Sequence, residues 1–140
     1  MFVYVHWRTQ GDLGEVSALE WLVARGYQVY VPLGHSADCD LVADIDGRLE
    51  RVQVKTSICR QGTRYAVMLA TKGGNRSWTG TVKRFSADRC DWLFVLVGDG
   101  RRWWIPSAAV EACTAVTLGG PKYSEYEVEP GRPLPLVAAA

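Results

Sequence analysis

Residues 39–57, CDLVADIDGRLERVQVKTS, decide the fold. At their centre stands Asp46-Gly47, a two-residue turn whose central positions both accept positive φ and so match the twist of a β-hairpin. The spacing predicts strands over 39–46 and 49–57, paired antiparallel. Alternate side chains of a strand share a face. Asp40, Val42, Asp44 and Asp46 then lie on one face, and Cys39, Leu41, Ala43 and Ile45 on the other. On the return strand Arg51, Gln53, Lys55 and Ser57 share one face, opposite Val52, Val54 and Thr56. Antiparallel pairing puts Asp40, near the start of its strand, at the same end as Gln53 and Lys55. A half-exposed sheet shows the same alternation with no chemistry attached.

Working outward, residues 12–25 are rich in helix formers, and Gly26 follows where a left-handed cap is expected, which predicts a helix. On that helix Glu15 shares the side of Ala18, Leu19 and Leu22, since successive residues turn by about 100°. Either the carboxylate snorkels to water or something cationic meets it, because an unpaired buried charge is costly. Further strands are predicted over 27–33, 65–71, 91–98 and 101–106, the last two joined by an Asp99-Gly100 turn. Residues 1–8 read as a short edge strand or arm, 72–86 as a long loop, and 107–113 as one or two helical turns. The expected class is a mixed α/β domain over 1–118: a helix, a β meander, then a hairpin. A tail over 119–140, with its Gly, Pro and Ala content, is the expected place for disorder.

Composition narrows the function classes. With 140 residues, 48% apolar and 22% charged, the chain is long enough for a core and unlike a disordered or fibrous segment. No run of 18 apolar residues exists, so no membrane span is expected. Without a secretory signal pattern, the expected location is cytoplasmic. The net charge is +1, but residues 47–104 carry +8 and the rest −7, which suits either a nucleic-acid-binding face or an ordinary solvated one. Cys39, Cys59, Cys90 and Cys113 have no CxxC spacing, and His6 and His35 stand apart, so a structural zinc site is not expected.

Together Glu15, Asp40, Gln53 and Lys55 make a more specific set. Two carboxylates and an amide oxygen suit a hard cation, Mg²⁺ or Mn²⁺. A lysine beside such a cation suits phosphate chemistry, where it stabilises an oxyanion or holds the attacking water. The basic stretch Lys72, Arg76, Lys83 and Arg84 has Trp78 and Phe85 interleaved and Arg51 nearby, a pattern that offers phosphate contacts and stacking surfaces. A solvated loop with Trp78 tucked into the core is the alternative. Six tryptophans fit either a packed monomer core or a subunit interface.

GDLGE (11–15), DCDLVAD (38–44) and RVQVKT (51–56) resemble the PD-(D/E)XK nuclease superfamily. The likeness is to small Holliday-junction resolvases and, more strongly, to group I intron-encoded homing endonucleases. It extends over roughly residues 9–110. The resemblance implies a restriction-endonuclease-like core and Mg²⁺- or Mn²⁺-dependent DNA hydrolysis. It also implies a metal shell of Asp40, Gln53, the Val54 carbonyl and Glu15, with Lys55 at the attacking water and scissile phosphate. Lys72, Arg76, Trp78, Lys83, Arg84 and Arg51 would bind DNA, and a homodimer or dimer of dimers would cut both strands. Two departures bear on activity: Gln53 stands where the family usually has an acid, and the proline before the first aspartate is missing. A catalytically inactive DNA-binding module on the same fold is the alternative.

Overall fold

A computed structural model describes residues 1–34, 38–72 and 82–139; the side chains of 71, 72, 82 and 83 lie outside the description. In chain order the elements are β1 (Phe2–Tyr4), α1 (Trp7–Ala24), β2 (Gln28–Tyr30), β3 (Leu41–Ile45), β4 (Arg48–Ser57), β5 (Arg60–Gln61) and β6 (Arg64–Met68). Then follow β7 (Thr71–Lys72), β8 (Val82–Lys83), β9 (Trp92–Val97), β10 (Arg102–Pro106), β11 (Ala115–Leu118), β12 (Glu127–Val128) and β13 (Leu136–Ala138). Among the described residues the main sheet runs β12-β10-β9-β4-β3-β2, and β11-β6-β5 forms a second, smaller sheet.

The β3–β4 hairpin forms as its sequence dictates. Asp46 and Gly47 take φ of 53° and 87° at the turn. The Gly47 amide also donates to Asp44 Oδ1 at 2.9 Å, which closes the loop. In the ladder Leu41 faces Val52 and Val42 faces Arg51, so the apolar and polar faces of the two strands coincide. At the centre of the sheet β4 pairs parallel with β9, Val54 opposite Phe94. The meander expectation is corrected here. After β4 the chain leaves the main sheet, and β6 pairs with β11 instead.

That departure explains why β9 is apolar throughout. Both of its faces are covered. Phe94 and Leu96 pack with Leu41, Ala43 and Val52 against Ala18, Trp21 and Leu22 of α1. Leu93, Val95 and Val97 pack on the opposite side with Tyr65, Val67, Leu69, Trp103 and Leu118. Trp103 is buried, while its neighbour Trp104 stacks on Trp92 at 4.5 Å, as expected for consecutive strand residues facing opposite sides.

Helix α1 begins at Trp7, earlier than its sequence predicts, because His6 Nδ1 accepts the Arg8 amide at 3.3 Å and caps the first turn. Residues 107–113 give one 3₁₀ turn, Ser107–Ala109, in place of a longer helical piece. Phe85 enters the core rather than a basic surface. Beyond residue 118, order comes from long-range pairing that composition does not reveal. β12 joins β10, β13 joins β1, and Leu134 is buried against the helix side of the sheet. Arg102, only 4% exposed, links these parts. Its Nε donates to the Glu129 carbonyl at 2.8 Å, and one guanidinium nitrogen meets Glu20 at 2.6 Å. Among the described residues no helix is long and apolar enough to cross a membrane.

Candidate active site

The hairpin ladder changes at Asp40. Continued in register, Asp40 would face Gln53, but its amide donates to the Val52 carbonyl at 2.9 Å. Its carboxylate oxygen Oδ2 then accepts the Val54 amide at 2.7 Å, so a side chain supplies the acceptor where β3 has ended. In an extended strand a residue's amide and carbonyl point to the same edge. The Val54 carbonyl therefore faces the edge occupied by Asp40.

Glu15 reaches the same edge from α1, close enough for its carboxyl to influence that of Asp40. The close approach depends on Gly14. A Cβ there would stand 2.4 Å from Thr56 Cγ2 and 3.3 Å from Val54 Cγ1, so only glycine lets the helix lie this near β4. Another acid is thus among the neighbours of Glu15. Neighbouring carboxyls repel when both are ionised, which favours a shared proton or a neighbouring cation.

Burial pushes the Asp40 carboxyl above the usual carboxylate range, against the Val54 hydrogen bond, the Lys55 charge and the Glu15 contact. Burial likewise lowers Lys55 from the ordinary ammonium value, although the Asp40 charge opposes it. Asp40 and Lys55 thus lie within electrostatic reach of one another.

Gln53 shares the face of Lys55, but its amide oxygen lies 3.9 Å from Cys90 Sγ, on the β9 side. Cys90 is fully buried, and its sulfur is 3.3 Å from Ser107 Oγ. Burial raises the thiol, opposed by Ser107 and by the Arg51 charge. Sequence reasoning missed Cys90 and Ser107 altogether. They approach Gln53 only through the parallel β4–β9 pairing, and no local spacing signals that.

The residues expected to bind DNA are scattered in status. Arg51 makes an ion pair with Asp91 at 3.4 Å and donates to the Asp88 carbonyl at 3.0 Å. Despite the cost of burial, the Arg51 amide and guanidinium hold the Asp91 carboxyl below its ordinary range. Arg84 is exposed and follows β8. Lys72 and Lys83 stand on the antiparallel pair β7–β8, with their side chains outside the described residues. Arg76 and Trp78 lie outside the described residues entirely.

The donor set fits a hard divalent ion: the carboxylates of Glu15 and Asp40, the Val54 carbonyl and an amide oxygen at Gln53 are all oxygens. No group of three or more His, Cys, Asp or Glu side chains arranged for a metal occurs among the described residues. The amide at position 53 is the physical reason that the set holds only two acids.

Comparison with known proteins bears on the family and the fold. A PD-(D/E)XK endonuclease family model matches residues 5–118. The fold is similar to the solved structure of a bacterial homing endonuclease, I-Ssp6803I, with a TM-score of 0.73 and 23% identity. The match covers 86% of this chain and 88% of that one. No match was found among curated proteins. The helix-backed mixed sheet is thus a restriction-endonuclease-like α/β core, and the chain belongs to the PD-(D/E)XK endonuclease family.

Proposed function

We propose that this protein is a divalent-metal-dependent DNA endonuclease that hydrolyses phosphodiester bonds. The observation that carries the reading is the Asp40 carboxylate held by the Val54 amide at the edge shared with the Val54 carbonyl, with Glu15 and Lys55 close enough to influence it. Two partly buried acids on one edge suit a divalent cation. Glu15, Asp40, Gln53 and the Val54 carbonyl are the residues that would hold Mg²⁺ or Mn²⁺. When bound, such an ion lowers the pKa of water and neutralises charge on the phosphate.

The protein's own groups do the rest. Asp40 is oriented by the Val54 amide. Lys55, lowered by burial, donates a hydrogen bond to the attacking water or a phosphate oxygen and stabilises the negative charge that grows there. The basic stretch with Lys72, Arg76, Trp78, Lys83 and Arg84 would hold the DNA backbone, with Arg51 at its margin. A homodimer would present two such sites to the two strands. The exposed apolar side chains of Phe2, Val3, Leu136 and Val137 on the β1–β13 ribbon suit its interface.

One observation favours a second reading, an inactive DNA-binding module: Gln53 brings no charge where the family usually has an acid. A cleavage panel of duplex, four-way-junction and flap DNA with Mg²⁺ or Mn²⁺ separates the two. The endonuclease cuts at least one substrate, and Asp40→Ala or Lys55→Ala slows it by about 10²-fold or more. DNA binding without metal-dependent cutting supports the module instead. Cleavage that survives both substitutions rules out the assigned site.

A further inference from the structure

Gln53 is the one member of the donor set whose two ends have opposite chemistry. Its amide oxygen accepts and can ligate a cation, whereas its nitrogen carries two donors and repels one. Rotation of the amide by half a turn therefore converts a ligand into an obstacle, and a glutamate at the same place would not have this problem. Something must select the orientation.

Cys90 is placed to do so. Its sulfur sits 3.9 Å from Gln53 Oε1 and 3.3 Å from Ser107 Oγ. Ser107 opens the 3₁₀ turn and its amide donates to the Asp91 carbonyl at 2.9 Å. The Asp91 carboxylate in turn accepts the Arg51 amide at 2.8 Å, two residues before Gln53 on the same strand. The chain of contacts leaves β4 at Gln53 and returns to it at Arg51, so the thiol is held relative to the strand that carries the amide. A thiol has one weak donor and a weak acceptor, as the order Ser107 hydroxyl to sulfur, then sulfur to amide oxygen, requires. A carbonyl oxygen has two lone pairs, so the contact with Cys90 leaves one for a cation.

We propose that Cys90 is a positioning residue that fixes the Gln53 amide with its oxygen available to the divalent cation. The proposal rests on the metal-dependent reading above and assigns a task within it to a buried thiol. Cys90 itself touches neither metal nor substrate, and Ser107 holds it in turn.

The test is calorimetric titration of the full-length protein with Mn²⁺ alone, without DNA, with circular dichroism to verify the fold of each variant. Cys90→Ala weakens Mn²⁺ binding by about tenfold, the loss usual when the support behind a metal ligand is removed. Cys90→Ser, which keeps a donor and an acceptor, restores binding close to wild type. In a Gln53→Ala background, Cys90→Ala has no further effect. Ser107→Ala shifts binding in the same direction by a smaller factor and serves as the readout if Cys90→Ala does not fold. Unchanged binding in folded Cys90→Ala, or a loss equally large in the Gln53→Ala background, overturns the proposal. Failure of the underlying reading looks different: wild type and Asp40→Ala then show the same titration, and the role of Cys90 falls with it.

Discussion

Asp40 sits where it is uncomfortable. Burial raises its carboxyl, so ionisation is opposed in the fold relative to the unfolded chain. The folded state thus holds a proton more tightly, and the stability tied to this group is present below the unfolded value of about 3.9 and lost as pH rises through the raised value. Lys55 has the opposite sign. Its lowered value means that stability tied to it is present above the ordinary ammonium range and lost as pH falls through the depressed value. At neutral pH both groups therefore oppose folding while serving the site. Asp40→Asn keeps an oxygen for the Val54 amide and removes the charge. It is expected to stabilise the metal-free protein by on the order of 1 kcal/mol at pH 7, read as a higher Tm, while abolishing cleavage. The gain shrinks as the pH is lowered toward 4, and a gain independent of pH contradicts the assignment.

Parity within the hairpin was legible because a two-residue turn leaves a single register over Leu41–Ile45, whereas the change of pairing at Asp40 and the approach of Gln53 to Cys90 were not. The helical phase of Glu15 was legible for the same reason: local geometry is periodic. The identity of its partner was not. A carboxylate on an apolar helix side asks for a cation, and only the docking of α1 on β4 shows that Asp40 also lies close to it.

The docking of α1 turns on two glycines with opposite surroundings. Gly14 lies against Thr56, whereas a Cβ at Gly11 meets nothing within 4 Å. Alanine in a helix is favoured over glycine by about 1 kcal/mol, and overpacking costs about 1–3 kcal/mol. Gly11→Ala should therefore raise Tm. Gly14→Ala should leave stability level or lower it by up to about 2 kcal/mol, and it should depress cleavage further than that because Glu15 moves away from Asp40. A thermal melt with an activity assay on both variants checks the pair. Equal responses would mean that the helix does not pack as described.

Sequence periodicity revealed most elements but not their partners. Residues 91–98 read as a strand from composition, yet nothing local says that β9 runs parallel to β4 or that β6 belongs to another sheet. The first turn of α1 was missed because its cap is a histidine, a poor predictor of helix starts beside Ser or Asp. The 119–140 segment looked loose because Gly and Pro suit disorder, whereas its order comes from β10, β1 and the core around Leu134.

For the whole molecule, the asymmetry between a basic central stretch and an acidic remainder suits a polyanion held beside an acidic site. Lys83→Glu with Arg84→Glu is expected to weaken DNA binding and to flatten its dependence on salt, by about 0.9 in the logarithmic slope for each phosphate that the protein no longer neutralises. Binding measured across a salt series checks this, and an unchanged slope removes the stretch from the interface. Arg102 acts at the same scale, since it joins α1, β10 and the C-terminal segment. Arg102→Ala leaves the Glu129 and Ser17 carbonyls without their donor and is expected to cost about 1–3 kcal/mol, seen as a lower denaturation midpoint.

One measurement reaches the centre of the account: anomalous diffraction from a crystal of the wild-type protein soaked in Mn²⁺. The account predicts a peak at the edge where α1 meets the hairpin, about 2 Å from carboxylate oxygens of Asp40 and from the Val54 carbonyl, with Glu15 turned toward it. A crystal that takes up Mn²⁺ elsewhere and none at this edge would contradict it.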